Sequence, residues 1–297
     1  MVGMAPFATL MQPWRRRHWR ADPAALAAYA GLRPFTVVTG GSEGIGLALA
    51  RRFAGAGNDL LLIARRPEPL QAAADRIRAE SRVEVATAAI DVTAPSAIAA
   101  LEAALAARGG YADVLVNCAG IGFAGRFGEQ PPEALAQLVD LNVRAVTMLS
   151  RHFLSGMRVR GRGGILNLAS LGGYVPGPNQ AAYYASKAYV LSLSEALAAE
   201  TAGEGVRICA LAPGPVDTRF HARMGAEGAF YRTLLPPASA AAVARAGYVG
   251  FALGWRVTIP GLINPFLLLA LRVMPHRLVI PIVGWLLQPR GQNLTNA

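Results

Sequence analysis

Short apolar runs alternate along this chain with longer stretches in which apolar residues recur every three or four positions. The runs predict buried strands, and the longer stretches predict amphipathic helices. The predicted strands cover residues 35–39, 59–64, 83–90, 113–120, 164–169, 206–212 and 256–260. The predicted helices cover residues 47–56, a segment starting near 67, 95–108, 132 to about 152, 181 to about 201, and 239–251. This alternation indicates an α/β fold: a doubly wound parallel sheet of about seven strands with helices on both faces.

The pattern divides the chain into three parts. Residues 1–32 form a basic leader, residues 33–260 form one α/β domain, and residues 261–297 form a short apolar helical tail. Within the domain, residues 219–237 show little periodicity and predict a mobile loop or lid. Two small domains joined by a linker are not indicated, because no Gly/Pro/Ser-rich spacer interrupts the alternation.

The tail is unusually apolar, and its role stays open at this stage. We expect Pro275, Pro281 and Gly284 to break its helices into pieces too short to span a bilayer. Three interpretations are equally compatible with the sequence: a helical flap on a substrate cleft, a dimer surface, or a monotopic membrane patch.

The leader does not read as a signal peptide, because its charges follow its apolar part. Trp14 and Trp19 flank a cluster of arginines that suits an anionic membrane surface or a floppy basic segment equally well. Cys118 and Cys209 lie in strand-like runs, which favours buried thiols and a reducing compartment. We therefore predict a cytoplasmic protein with possible membrane association.

A net charge of +11 raises the possibility of nucleic-acid binding. The arginines are scattered, however, and no nucleic-acid-binding module is legible, so we predict no nucleic-acid partner. Two cysteines and four histidines without ligand spacing predict no metal site.

A glycine-rich turn follows the first predicted strand and precedes the first helix. It runs from Gly40 through Ser42, Gly44 and Ile45 to Gly46. Glycines at such a junction let the backbone approach a ligand, and the helix N-terminus offers free N–H groups to a pyrophosphate. The turn predicts a dinucleotide site.

Arg65 and Arg66 end the second predicted strand, beside the expected position of the adenosine ribose. Arginine fits a 2′-phosphate, whereas an acidic residue would fit a 2′-hydroxyl. The pair favours NADP(H), with NAD(H) possible. Further along, Asp91 and Val92 are placed to meet the adenine, and the small Ala119 and Gly120 leave room for the cofactor.

The strongest chemical signal lies between Ser170 and Lys187. Tyr183 and Lys187 are four residues apart, which places both on one face of a helix. A nearby ammonium favours the phenolate, so we expect Lys187 to lower the pKa of Tyr183 toward the working range. Of the 29 basic residues Lys187 is the single lysine, which marks it for a role that arginine does not fill.

Together these motifs resemble the short-chain dehydrogenase/reductase family over about residues 33–260. The glycine turn is similar to TGxxxGxG, Asp91 to the adenine-site aspartate, and residues 117–120 to the NNAG motif. The resemblance implies a Rossmann-type fold, a catalytic tetrad of Asn142, Ser170, Tyr183 and Lys187, and cofactor contacts from Asn117 and from Pro213, Gly214 and Thr218. The tail resembles that of a bacterial subgroup whose substrates are poorly assigned. The family implies a homodimer or homotetramer.

The implied reaction is hydride transfer between NADP(H) and a carbonyl/alcohol pair. Tyr183 would exchange the proton, Ser170 would bind the substrate oxygen, Lys187 would hold the nicotinamide ribose, and Asn142 would anchor a water. Glu43 departs from NADP-preferring relatives, since a carboxylate repels a 2′-phosphate. The alternatives are an epimerase or dehydratase that retains its nucleotide, and a cofactor-binding regulator without catalysis.

The loops expected around the substrate are mostly apolar and contain no arginine clamp for a carboxylate. They predict a hydrophobic ketone, aldehyde or alcohol as substrate. The candidate lining residues are Ile121, Phe123, Gly172, Tyr174, Phe220, Met224, Phe230 and Tyr231.

Overall fold

A computed structural model of the chain describes residues 23–226, 230–231, 236–261 and 263–288. The strands in these residues are β1 (Arg33–Thr39), β2 (Asp59–Ala64), β3 (Val85–Ala89), β4 (Gly110–Asn117), β5 (Gly163–Leu168), β6 (Val206–Leu211), β7 (Val216–Asp217), β8 (Ala238–Ser239) and β9 (Val257–Thr258). Seven of them form a parallel sheet in the order β3-β2-β1-β4-β5-β6-β9, and β7 pairs with β8. The predicted α/β fold and its seven-stranded sheet are confirmed.

The helices of the described residues follow the predicted alternation. They are α1 (Pro23–Ala27), α2 (Gly44–Gly55), α3 (Pro67–Glu80), α4 (Ala97–Ala106), α5 (Pro132–Val139), α6 (Val146–Arg160), α7 (Ala181–Glu200), α8 (Phe220–Met224), α9 (Ala240–Ala252), α10 (Asn264–Val273) and α11 (His276–Leu286). Residues 219–237, predicted as an irregular lid, contain the short α8, and β8 follows directly after them; residues 227–229 and 232–235 lie outside the described residues.

The central strands are covered on both faces, which explains their uninterrupted apolar sequences. Phe35, Val37 and Val38 of β1 have no exposed surface. Val38 packs in a cluster with residues of α2, α3 and α9, whereas Phe35 and Val37 pack in a second cluster with residues of α4 and α6. Consecutive side chains of a strand point to opposite faces, so β1 contributes to both cores.

The predicted helix that starts at residue 132 is longer than expected and not regular. α5 and α6 are joined without a break by a wider π-helical segment, Asp140–Ala145, and the run ends at Arg160. Single π turns inside α-helices are rare and often mark functional positions. Here the wider turn contains Asn142.

The tail forms two helices, and one of our expectations about it is wrong. Pro275 separates α10 from α11, but Pro281 and Gly284 both lie inside α11. Pro281 removes one backbone hydrogen bond from the helix. Burial of Val279 and Val283 on the inner side of α11 offsets that loss.

Residues 23–32 of the leader pack on the main domain. The Arg160 guanidinium lies between the rings of Tyr29 and Tyr111, at 4.5 and 4.3 Å from their centroids. Such cation–π contacts hold the end of the leader against α6. Trp14, Trp19 and the arginine cluster lie outside the described residues. Among the residues that the structure describes, no helix combines the length and apolar character needed to cross a membrane.

Candidate active site

The turns after β1, β4, β5 and β6 meet at the carboxyl edge of the sheet. There they surround a cavity of about 900 Å³. The order of the strands along the chain reverses between β1 and β4, which is the position where doubly wound sheets bind their ligands. The predicted site residues that line the cavity are Gly40, Ser42, Gly44, Ile45, Gly46, Arg66, Ala119, Gly120, Ser170, Tyr183, Lys187, Pro213, Gly214 and Thr218.

The glycine-rich turn forms one wall and needs its glycines for geometric reasons. Gly44 has a φ of +57°, a conformation that other residues rarely adopt. A Cβ on Gly46 would lie 2.2 Å from the carbonyl oxygen of Gly40, so the turn closes only with glycine there. α2 starts at Gly44, and the N–H groups of its first turn are the donors available to an anion. The turn therefore fits a dinucleotide pyrophosphate.

Tyr183 and Lys187 both line the cavity from α7, one turn apart. The Lys187 ammonium donates to the carbonyl oxygen of Leu168 at the end of β5, at 2.7 Å. Burial lowers the pKa of Lys187 to about 8, although its interaction with Cys118 acts in the opposite direction. This anchor leaves two of the three ammonium donors for a ligand.

Our expectation that Lys187 lowers the pKa of Tyr183 is not supported by the structure. Burial raises the pKa of Tyr183, and the hydrogen bond with Ser170 opposes that rise. The Lys187 ammonium nitrogen lies 5.7 Å from the centre of the Tyr183 ring and is directed at Leu168 instead. Loss of solvation is therefore the main influence on the pKa of Tyr183, and the phenol keeps its proton at neutral pH.

Ser170 follows β5 and lies at the start of a 3₁₀ turn, Leu171–Tyr174. Its hydroxyl accepts from the Gly172 N–H at 3.1 Å, which fixes the side chain at the cavity wall. The same hydroxyl interacts with that of Tyr183. Ser170 and Tyr183 can thus both reach one substrate oxygen.

Asn142 is buried behind the cavity wall rather than lining it. Its amide accepts from the Ile121 N–H at 3.0 Å and donates to the Ile121 carbonyl at 2.8 Å and to Ser186 at 3.1 Å. These bonds join the wider π turn, the loop after β4 and α7 at the level of Lys187. The contacts position the backbone after Gly120, and Asn142 acts on the site through that loop.

Four predicted cofactor residues do not line the cavity: Arg65, Asp91, Val92 and Asn117. The Asp91 carboxylate accepts from the backbone and hydroxyl of Thr93 and shapes the turn after β3. Val92 packs against the core under α4 and α6. A strand-end position alone did not specify which way these side chains turn.

Asn117 is the clearest correction among them. Its side chain is buried and donates to Asn167 at 2.8 Å and to Ser150 at 3.1 Å, and Asn167 in turn donates to Ser194 at 2.9 Å. This polar network ties β4 and β5 to α6 and α7 inside the core. We assign Asn117 to the framework of the sheet rather than to the cofactor.

Glu43 does not stand as an isolated carboxylate beside the glycine turn. Arg223 of α8 binds it through two hydrogen bonds, one of 2.9 Å, and Arg66 lies 3.8 Å from it. The hydrogen bond with Arg223 is the main cause of the lowered pKa of Glu43. With two arginines beside it, the carboxylate repels a phosphate less than its sequence position suggested.

Arg76 was missed by the sequence reasoning. It lines the cavity from α3 together with Pro69, Ala72 and Ala73, which share its helical face. Pro69, Ala73 and Arg76 follow Arg66 at intervals of three or four residues, and this helical spacing is the signal that could have identified Arg76. Arg66, Arg76, Ser42 and Glu43 form what we call the polar end of the cavity.

The tail supplies much of the remaining wall. Six of the eight predicted substrate-lining residues face the cavity, but Tyr174 packs into the core and Phe230 stacks on Trp285. The tail adds six apolar residues that sequence reasoning did not assign to the site: Leu267, Leu268, Leu271, Val283, Leu286 and Leu287. With Val175 and Tyr184 they form what we call the apolar end.

α11 is held against the site by close packing. Val279, Val283 and Leu287 form a cluster against which Val175 and Tyr184 pack. Tyr184 therefore belongs to the wall that joins the tail to α7, although its neighbour Tyr183 carries the predicted chemistry. The inner side of the tail therefore packs over the cavity, as the interpretation of the tail as a helical flap expects.

The described residues contain no group of three or more His, Cys, Asp and Glu side chains close enough to hold a metal ion. The donors that line the cavity include backbone N–H groups, hydroxyls, side-chain amides, an imidazole, the Lys187 ammonium and guanidinium groups. These donors match the phosphates, ribose and amide of a dinucleotide rather than a metal ion.

Comparison with known proteins agrees with this geometry. A family model described as short chain dehydrogenase matches residues 34–228. A short chain dehydrogenase from Pseudocercospora fijiensis is 37% identical over 188 residues, 63% of this chain and 60% of that protein. A short-chain dehydrogenase from Sphingobium yanoikuyae in complex with NADPH is 32% identical, with a TM-score of 0.71 over 89% of this chain and 98% of the other. A bulky-bulky ketone specific alcohol dehydrogenase from Comamonas testosteroni is 30% identical, with a TM-score of 0.67 over 77% and 86%.

Proposed function

This chain belongs to the short-chain dehydrogenase family, and from that premise we propose that it reduces a hydrophobic ketone or aldehyde with NADPH. Membership confirms the predicted family and the predicted class, an NAD(P)-dependent oxidoreductase acting on an alcohol or carbonyl group. The observation that carries the proposal is the continuity of one cavity. It has arginines at the polar end, Tyr183 and Ser170 within its wall, and leucines at the apolar end.

In the proposed mechanism, a bound nicotinamide supplies the hydride. Tyr183 donates the proton to the carbonyl oxygen, because burial keeps it protonated before the reaction. Ser170 donates a hydrogen bond to the same oxygen as negative charge develops there. Lys187, anchored on Leu168, directs its remaining donors to the ribose and places a positive charge beside the site.

We propose that Arg66 gives the protein its preference for NADPH. Replacing Arg66 by alanine should weaken NADPH binding about tenfold and leave NADH binding nearly unchanged, since one charge-assisted contact to the 2′-phosphate is lost. Fluorescence titration of purified protein with each cofactor measures both constants. Arg65→Ala is the matched control, because Arg65 does not line the cavity. Equal or tighter NADH binding by the unaltered protein would instead make Glu43 the dominant group.

The apolar end supports the choice of substrate class. Leucines and a valine from the tail line it, and a solved structure that this chain resembles is that of a bulky-bulky ketone specific alcohol dehydrogenase. We expect NADPH oxidation by a series of methyl ketones of increasing alkyl length to show KM falling with each added methylene, by a factor of about 4. Keto acids of matched length, whose carboxylate finds no arginine at the apolar end, should be poor substrates. A preference for the keto acids would contradict the proposal.

The assembly and cellular site of the protein are further proposals. We propose that it works in the cytoplasm as a homodimer or homotetramer, as the family resemblance implies, and that its contact with a membrane is peripheral.

A further inference from the structure

The two tail helices are apolar on both sides. On α10, Leu267, Leu268 and Leu271 face the cavity. The opposite side of the same helix presents Phe266, Leu269 and Val273, which are 75%, 62% and 76% exposed. Exposed apolar side chains grouped on one side of a helix mark a surface that contacts a partner or a membrane. The outward side of α10 is therefore unlike an ordinary solvent-facing helix surface.

The second tail helix repeats this arrangement. On α11, Val279 and Val283 are buried inward, whereas Leu278, Ile282 and Trp285 are 53%, 43% and 48% exposed. Leu271 of α10 packs against the same cluster as Val279 and Val283. The inner sides of both helices thus meet in one cluster, and their outer sides face away from it. We call these six exposed residues of α10 and α11 the outer tail face.

The charge of this part of the chain is one-sided. The last acidic residue of the sequence is Glu227, and residues 228–297 contain arginines at positions 232, 245, 256, 272, 277 and 290. Arg277 is exposed at the start of α11, one residue before Leu278. The outer tail face is therefore set in a segment with positive charge and no carboxylate side chain.

We propose that the outer tail face lies on an anionic lipid bilayer, with α10 and α11 in the plane of the interface. Aromatic and aliphatic side chains would enter the boundary between headgroups and acyl chains, and the arginines would meet anionic headgroups. A second copy of the chain is the competing occupant. Pairing two such faces would bring the exposed Arg277 side chains of both copies to one interface, and like charges across an interface oppose association. An anionic lipid surface carries the negative charge that is complementary to the arginines of this segment.

The proposal concerns a surface and is independent of the chemistry at Tyr183. It is tested by co-sedimentation of the full-length protein with vesicles of phosphatidylcholine alone and of phosphatidylcholine with phosphatidylglycerol. We expect binding to the mixed vesicles, at least tenfold weaker binding to phosphatidylcholine alone, and weakening at high salt because the Debye length shortens. The double variant Phe266→Glu/Val273→Glu should lose at least tenfold of the affinity for mixed vesicles.

Leu253→Glu is the matched control, because Leu253 is 63% exposed and lies at the end of α9, outside the tail helices. Both variants should melt at the temperature of the unaltered protein and bind NADPH equally well, which shows that the tail remains folded against the cavity. Absence of binding by the unaltered protein, or undiminished binding by the double variant, would overturn the proposal. So would gel filtration without lipid in which only the double variant dissociates an oligomer, since a second copy would then cover this face.

Discussion

Replacing Tyr183 by phenylalanine is expected to lower kcat by about 10²–10⁴-fold, the range that a positioned general acid contributes. The change removes the hydroxyl that interacts with Ser170 and leaves the ring in place beside Phe220. NADPH should still bind, because the glycine turn and Arg66 are untouched. Steady-state turnover of an apolar ketone and fluorescence titration with NADPH measure the two effects separately.

Tyr184→Phe provides the matched control for this variant. Tyr184 is the next residue on the same helix, and burial raises its pKa as well. Its ring packs against Gly177, where a Cβ would come within 2.3 Å of it, and against the tail cluster. Loss of its hydroxyl should change kcat less than about threefold, since the ring contacts remain. Turnover near that of the unaltered enzyme in Tyr183→Phe would remove Tyr183 from the mechanism.

Replacing Lys187 by arginine is expected to lower kcat about 100-fold even though the charge is kept, because small misplacements of a positioning group cost this much. The ammonium fits a narrow site between the carbonyl of Leu168, at 2.7 Å, and the backbone at Gly120, where a Cβ would lie 3.7 Å from it. The larger planar guanidinium cannot occupy the same position with the same donors. Single-turnover measurements with NADPH already bound would separate this effect from weaker cofactor binding.

Arg66→Lys provides the contrast for this substitution. At the exposed polar end the charge is expected to suffice, so this variant should keep most of its NADPH affinity. Activity of Lys187→Arg within about threefold of the unaltered enzyme would contradict the role that the composition of the chain suggested for its single lysine.

The elements that could be predicted from the sequence are those whose signal is local. β2 was predicted at its observed bounds, because a strand that is buried on both faces has an uninterrupted apolar sequence that can be recognised without knowing its neighbours in the sheet. Tyr183 and Lys187 could be paired because helical spacing alone puts them on one side of α7. The glycine turn could be placed because its flanking strand and helix are contiguous with it.

What could not be predicted depends on partners far apart in the chain. The pairing of Glu43 with Arg223 joins residues 180 positions apart, so the sequence showed only an unfavourable carboxylate. The Asn117 side chain points into the core because Asn167 and Ser150 accept its hydrogen bonds there. No local sequence pattern specifies this orientation of the side chain. In α10 and α11 large apolar residues lie on the outer side as well as on the inner side, so the sequence pattern left open which side faces the domain.

The division of the cavity between two parts of the chain has a consequence for how such proteins diverge. The segment that the family model matches ends at residue 228, and it contains the glycine turn, Arg66, Ser170, Tyr183 and Lys187. The leucines of the apolar end come from residues beyond it. Changes that affect cofactor binding and changes that affect the substrate can therefore arise in different parts of the chain. The matched segment keeps the residues of the reaction, and the tail can vary separately. Relatives that keep the first part and differ in the second are expected to retain the chemistry and change the molecule on which it acts.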